Sequence, residues 1–413
     1  SVYKQARRPL HGQCCQMDIG SDQIAFLTSG LALTELVSGL ALCHVAASAA
    51  ESSRAAVDLL ASLLVAIGLW TAVGFSLCFG TTTGFLGDPR SYLGLGNLDQ
   101  HGTDLLIHSG TALAAPLLAK GVLLPCLPLW RSILFTITWM ICVFVPICHA
   151  IWGGGWLSYY GVEDFTGGCV AHVASGAAGL AVFLMHGPSR EDLEARGELA
   201  GVLYRSCSFA VGATALWLGW FGIIMVPAVA GKADLAQVME STALSGFVSF
   251  FMWLLADVLA GGQPGLGLPF APVAGFAAIA SSADSVRPWS AATIGAVAAG
   301  ICYATAAWLC RRFGSSLGLH LALAHGLGGG VGMVLRPVFR DPCHQVNDCE
   351  DPGLLSPSLE KMGRQAGAVV VCAAYSFLVT CLFLKATSCS LNCSLRWSAR
   401  KVTANLPEPD TQA

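Results

Sequence analysis

Residues 162–180 read VEDFTGGCVAHVASGAAGL. The second half of this stretch is Gly, Ala and Val with almost nothing polar, as suits a helix in lipid or one packed closely on another. Yet Asp164 stands at its head and His172 lies two turns further in. An ionisable group at bilayer depth is costly and by default marks a pathway or a site. The plainer alternative is a neutral histidine that bonds a carbonyl and only ties helices together. A second stretch repeats the pattern: His172, Gly176 and Gly179 are matched in spacing by His325, Gly329 and Gly332. Two histidines at equivalent places favour the functional alternative over packing.

The rest of the chain explains where such a helix would sit. Charged residues make up 11% of 413 positions and hydrophobic residues 54%, with a mean hydropathy of +0.64. A soluble chain of this length has too much surface for so little charge. Apolar runs of the length that crosses a bilayer, about 20 residues, recur along it. They predict an all-α integral membrane protein with eleven transmembrane helices, at 24–46, 57–79, 105–124, 132–151, 165–183, 206–226, 241–261, 266–283, 291–310, 317–335 and 366–384. The eighth is short and carries Pro269 and Pro272. If helices one to five and six to ten are repeats, their odd length makes the second set inverted in the membrane. Inverted repeats place a site near the midplane, where the halves meet. Glycines three and four apart would let the fifth and tenth helices approach closely, bringing His172 and His325 face to face.

Two imidazoles can hydrogen-bond each other and still offer polar edges to a small guest. No Cys, Asp or Glu falls at ligand spacing beside either histidine, so neither a metal nor another cofactor is expected. Trp152, in HAIWGGGWL at 149–157, has two readings: an ordinary interfacial tryptophan, or an indole face for a small cation at a pore mouth. Asp164 suits a helix cap or a source of negative potential at that mouth, and the two roles are compatible. Asp257 and Glu35 read as structural acids. Most of the 17 cysteines lie in apolar spans and act there as small hydrophobes. Cys343 and Cys349, in the polar stretch RDPCHQVNDCED, are either a bridge outside the cell or two free thiols. The net charge of −3 and the lack of a basic patch give no reason to expect nucleic acid. Because the chain begins at Ser1, a leader missing upstream is also an expectation.

HAIWGGGWL followed by DFTGGCVAHVASGAAGL resembles the signature region of the Amt/Mep/Rhesus family of ammonium transporters. The similarity continues through LWLGWFG (216–222), WLLADVLAGGQPGLG (253–267) and HGLGGGVG (325–332). The resemblance implies a homotrimer with a narrow hydrophobic pore in each subunit. It also implies ammonium recruited at the mouth, stripped of a proton, and carried across as ammonia. By motif match, His172 and His325 would line the pore, Trp152 would belong to the outer recruitment site, and Asp164 would support it. The chain departs from the family at several of these places. The recruitment serine aligns with Pro227, one gate phenylalanine with Ile223, and the second gate position falls near Ala115. An acid before the second histidine is replaced by His320.

The expected layout is an extracellular segment at 1–21, a membrane domain at 22–386 and a cytoplasmic tail at 387–413, in a plasma membrane. With the N-terminus outside, the cytoplasmic side holds 12 of the 22 Lys and Arg and the other side 10, a small excess in the direction the positive-inside rule requires. Two rivals to transport remain: an ammonium sensor of the same fold with little flux, and a membrane-embedded enzyme using the histidine pair. The absence of carboxylates beside the histidines weighs against the enzyme.

Overall fold

In lipid no water is present to bond the backbone, so an apolar chain satisfies its own N–H and C=O groups by staying helical. A computed structural model describes residues 21–47, 52–81, 84–96, 101–121, 127–186, 199–261, 267–314, 316–341 and 358–388. Within them run eleven helical rods in the predicted order. These are α1 (Ser21–Ala47), α2 (52–79), α3 (Gly102–Gly121), α4 (129–151), α5 (168–186), α6 (Leu199–Val229), α7 (Leu235–Leu259), α8 (268–279), α9 (Pro288–Phe313), α10 (Leu317–Phe339) and α11 (Leu359–Ser388). By length and composition, eight of the described helices suit a membrane crossing. Cys343, Cys349, the segment 1–20 and the tail from 389 lie outside the described residues.

The rod ends follow local chemistry. Asp234 caps α7, its Oδ1 accepting from Gln237 N at 2.9 Å, and Ser316 Oγ caps α10 by accepting from Leu319 N at 3.1 Å. Pro288 begins α9, where its missing N–H costs nothing, and Gly314 at φ 89° ends it. α6 and α7 start six or seven residues before their predicted spans, because helical bonding runs on past the apolar stretch. α8 is shorter than predicted, and the reason is structural. Where it stops, the carbonyls of Ala280 and Ser281 are freed to accept from Thr166 N at 2.8 Å and Phe165 N at 3.2 Å. The two prolines lie in the opening turns of α8, and the loose carbonyls at its other end hold the segment before α5.

The predicted repeat is visible in which rods touch. The first five pack as α1–α2, α1–α3, α2–α3, α2–α4, α3–α4 and α3–α5. The next five repeat the scheme as α6–α7, α6–α8, α7–α8, α7–α9, α8–α9 and α8–α10. The two sets meet along α1–α6 and α5–α10, and α11 packs on α5 and α10. Five rods per set start the second from the opposite side, which inverts it.

The α5–α10 crossing depends on glycine. A Cβ on Gly176 would collide with the backbone of Gly326, and one on Gly329 would lie 2.6 Å from Gly168 O and 2.8 Å from His172 Cβ. Gly332 has a different neighbour: a Cβ there would strike Ala278 on α8. The second glycine of the α10 motif therefore serves α8–α10 packing, and Gly329 serves the crossing of the histidine helices. Away from the crossing, Lys120 is fully buried and bonds Asp58 Oδ1 at 2.5 Å, while Ser132 donates to Asp58 Oδ2 at 2.8 Å. This ion pair ties α2, α3 and α4 together.

Candidate functional site

His172 and His325 meet at the centre of the crossing. Their Nδ1 atoms are 2.7 Å apart, one donating and one accepting, and the rings lie nearly parallel at 14° with centroids 4.9 Å apart. Both are buried. Among the described residues, neither Nε2 has a hydrogen-bond partner. The tautomers follow from that one shared bond. The ring that donates through Nδ1 must leave Nε2 as an acceptor, and the ring that accepts must carry its proton on Nε2. The pair thus holds one acceptor and one donor in reserve, neither engaged among the described residues. Trp220 of α6 is centred 4.3 Å from His172 and 6.3 Å from His325.

His172 stands in a π-turn, Gly168–Val173, which begins after Gly167 at φ 111°. Single π-turns in otherwise α-helical rods are frequent at functional sites. Asp164 fixes this turn. Its Oδ1 accepts from Gly167 N at 2.9 Å and Gly168 N at 2.7 Å, and its Oδ2 accepts from Cys169 N at 2.7 Å and Val170 N at 3.1 Å. Burial pushes its carboxyl above the usual range, and the four N–H donors pull the other way. Asp164 therefore caps the rod that carries His172. It reaches Trp152 through its backbone, since the indole Nε1 donates to Asp164 O at 2.6 Å.

Trp152 lies half-buried at the end of the bundle where α2 and α4 finish and α3 and α5 begin. The first two of the three glycines after it have distinct tasks. Gly153 lies against Cys78 O and His149, where a Cβ would overlap both, and Gly154 turns the chain at φ 78°. His149 donates from Nδ1 to Cys78 O at 2.8 Å, joining α4 to α2. Trp152 leans on His108 of α3, with centroids 4.6 Å apart, and His108 stacks on Phe79 at 4.7 Å.

The altered gate and recruitment positions lie on α6 and α3. Pro227, Ile223 and Trp220 fall at successive turns on one face of α6, and all three are buried. Ile223 meets α3 at Gly110, where a Cβ would lie 3.3 Å from it. Ala115 is fully buried in α3, five residues beyond that contact. His320 sits at the other end, its Nδ1 donating to Ser316 O at 2.8 Å, with Trp253 centred 6.5 Å away. Asp257 shares a side-chain hydrogen bond with Tyr303, while Glu35 points outward from the middle of α1. Among the described residues, no three His, Cys, Asp or Glu side chains gather to hold a metal.

Sequence reasoning passed over two features. His108 carries no motif signal, and only the fold sets it beside Trp152. Glu163, next to the capping acid, accepts from Arg336 Nε at 3.0 Å and Arg340 Nη1 at 2.9 Å, and its backbone O accepts from Gln365 Nε2 at 2.8 Å. α10 and α11 thereby clamp the loop that carries Asp164. Charges 173 and 177 positions apart in the chain leave no local pattern to find.

The family model described as the Ammonium Transporter Family matches residues 24–408. The chain belongs to that family. An ammonium transporter of Aquifex aeolicus is 29% identical over 380 residues, covering 89% of this chain and 87% of its own. Among solved structures, Candida albicans Mep2 superposes with a TM-score of 0.74 at 26% identity, covering 89% of this chain and 84% of that one. A sensor Amt protein gives a TM-score of 0.74 at 20% identity, covering 89% and 92%, a likeness of fold. Membership of the family accounts for the rod order, the paired sets of five and the apolar exterior.

Proposed function

We propose that this protein moves ammonium nitrogen across a membrane, taking up the cation at the Trp152 mouth and passing it as ammonia along the His172–His325 pair. One observation carries this reading: two buried Nε2 atoms without partners among the described residues, one a donor and one an acceptor. Buried polar atoms are almost always satisfied, and ammonia, with a lone pair and N–H groups, would satisfy both. An intact ammonium ion could use only the acceptor and would have to shed its water in an apolar passage, which is costly for any charge. Deprotonation on the way in follows from that asymmetry. In this reading Asp164 holds the entrance in shape, and Ile223 with Ala115 leaves a passage without the phenylalanine gate. The test is flux into proteoliposomes with simultaneous current recording. Ammonium-dependent flux well above empty vesicles is expected, and its absence would sink the reading.

A sensor with little flux is the second reading. It is favoured by Pro227, which has no hydroxyl to hold a cation where the family has serine. Binding without flux in the same vesicles would select it.

The assembly is read as a homotrimer embedded in lipid. Glu35 motivates it: an acid exposed at the middle of α1 is unfavourable if that face meets lipid, and a neighbouring copy would cover it. Mass measurement in mild detergent is expected to give three chains per particle, and a monomer that still conducts would refute this. The orientation proposed is N-terminus outside and tail inside, in a plasma membrane, with the membrane domain at 22–386.

A further inference from the structure

Hydrogen-bonding groups at the Trp152 mouth are few, and most are already engaged. The indole N–H of Trp152 is held by Asp164 O, and the Asp164 carboxylate accepts from four backbone N–H groups. Ser109 Oγ accepts from Trp70 Nε1 at 3.0 Å and donates to Leu105 O. Asp104 is shared between His101 at 3.4 Å and Lys232 at 4.0 Å. Pro227 has nothing to offer.

His108 differs from all of these. Its ring lies between Phe79 and Trp152, so its faces are covered and only its edge is open. It is partly exposed, whereas Gly110 and the residues that follow it on α3 are buried. Among the described residues, no hydrogen bond engages either ring nitrogen. Asp104, one turn earlier on the same face of α3, adds negative potential beside it. A neutral imidazole always keeps one nitrogen as an acceptor, and here the two aromatic neighbours leave only the edge of the ring, where the nitrogens lie, for a small cation.

We propose that His108 is the hydrogen-bond acceptor for ammonium at the mouth, supplying from α3 the contact that Pro227 cannot supply from α6. It is a specificity-determining residue, because it rewards a cation that carries N–H. The inference rests on the reading above for the identity of the cation, and not on whether the cation is then transported.

Three proteins decide it: the unaltered chain, His108→Phe, which keeps the aromatic stack but has no acceptor, and His108→Gln, which restores an acceptor. Ammonium chloride is titrated into each detergent-purified protein by calorimetry, and initial uptake is measured against concentration in vesicles. His108→Phe is expected to weaken binding about tenfold, as loss of a hydrogen bond to a charged group implies. Its uptake should fall at low ammonium, with the maximal rate kept. His108→Gln should stay within about threefold of the unaltered chain on the same scale. Unchanged affinity in His108→Phe would overturn the proposal, and so would equal weakening in both variants, which would reduce His108 to a packing role. If the unaltered chain moves no nitrogen, the transport reading fails while the calorimetric comparison still decides His108.

Discussion

Leucine at either His172 or His325 is expected to lower ammonium flux by at least an order of magnitude, while protein level and assembly survive. The structural cost is modest. One hydrogen bond is lost, worth about 0.5–1.5 kcal/mol net, and the partner Nδ1 is left bare at about 1–3 kcal/mol. Leucine refills most of the volume, and a stability of about 5–15 kcal/mol absorbs such a change. The functional cost is larger because the two rings act as one unit. Without the Nδ1–Nδ1 bond at 2.7 Å, nothing fixes which Nε2 donates and which accepts, and a leucine offers neither. The double variant should therefore be little worse than either single one, the non-additivity expected of residues in direct contact. Flux is measured in vesicles and protein level by quantitative blot. Normal flux with unchanged ion selectivity in both single variants would show two packed core residues, and the pathway proposed here would have to be abandoned.

The histidine pair was legible in the sequence because it is written twice. His172 and His325 carry the same glycine spacing, and a repeated pattern of rare residues survives without knowledge of the fold. The eleven rods were legible for a related reason, since lipid demands long apolar helices and their lengths are set by the bilayer. What was hidden was local conformation and long-range pairing. The π-turn at Gly168–Val173 has no compositional mark; it arises because Asp164 gathers four consecutive backbone N–H groups. The clamp on Glu163 joins α10 and α11 to a loop far from them in the chain. His108 is an ordinary half-buried helix residue until α2 and α4 bring Phe79 and Trp152 to its two faces. A carboxylate at Asp164 could be read from the sequence as cap or as mouth charge. The geometry makes it the cap of α5, and its link to Trp152 runs through the backbone carbonyl.

Leucine at Gly176 is expected to be more damaging than leucine at either histidine, although Gly176 has no chemistry of its own. A Cβ there would fall on the backbone N and Cα of Gly326, with Ala322 O at 2.7 Å. Those atoms belong to the helix itself, so no rotamer change can move them, and α5 must part from α10. Overpacking against side chains costs about 1–3 kcal/mol; against a backbone the upper end of that range is the least to be expected. His172 lies one turn before Gly176 on the same face, so parting the helices also pulls its ring from His325. Both thermal stability in detergent and flux should fall together. The comparison that isolates the cause is Gly300→Leu, on the exposed face of α9, where a Cβ meets nothing within 4 Å. That variant should stay within about 0.5 kcal/mol of the unaltered protein, with flux unchanged. Equal behaviour of the two leucines would mean that the close crossing does not hold the histidines in register. In that case the glycine spacing that α5 and α10 share would need another explanation.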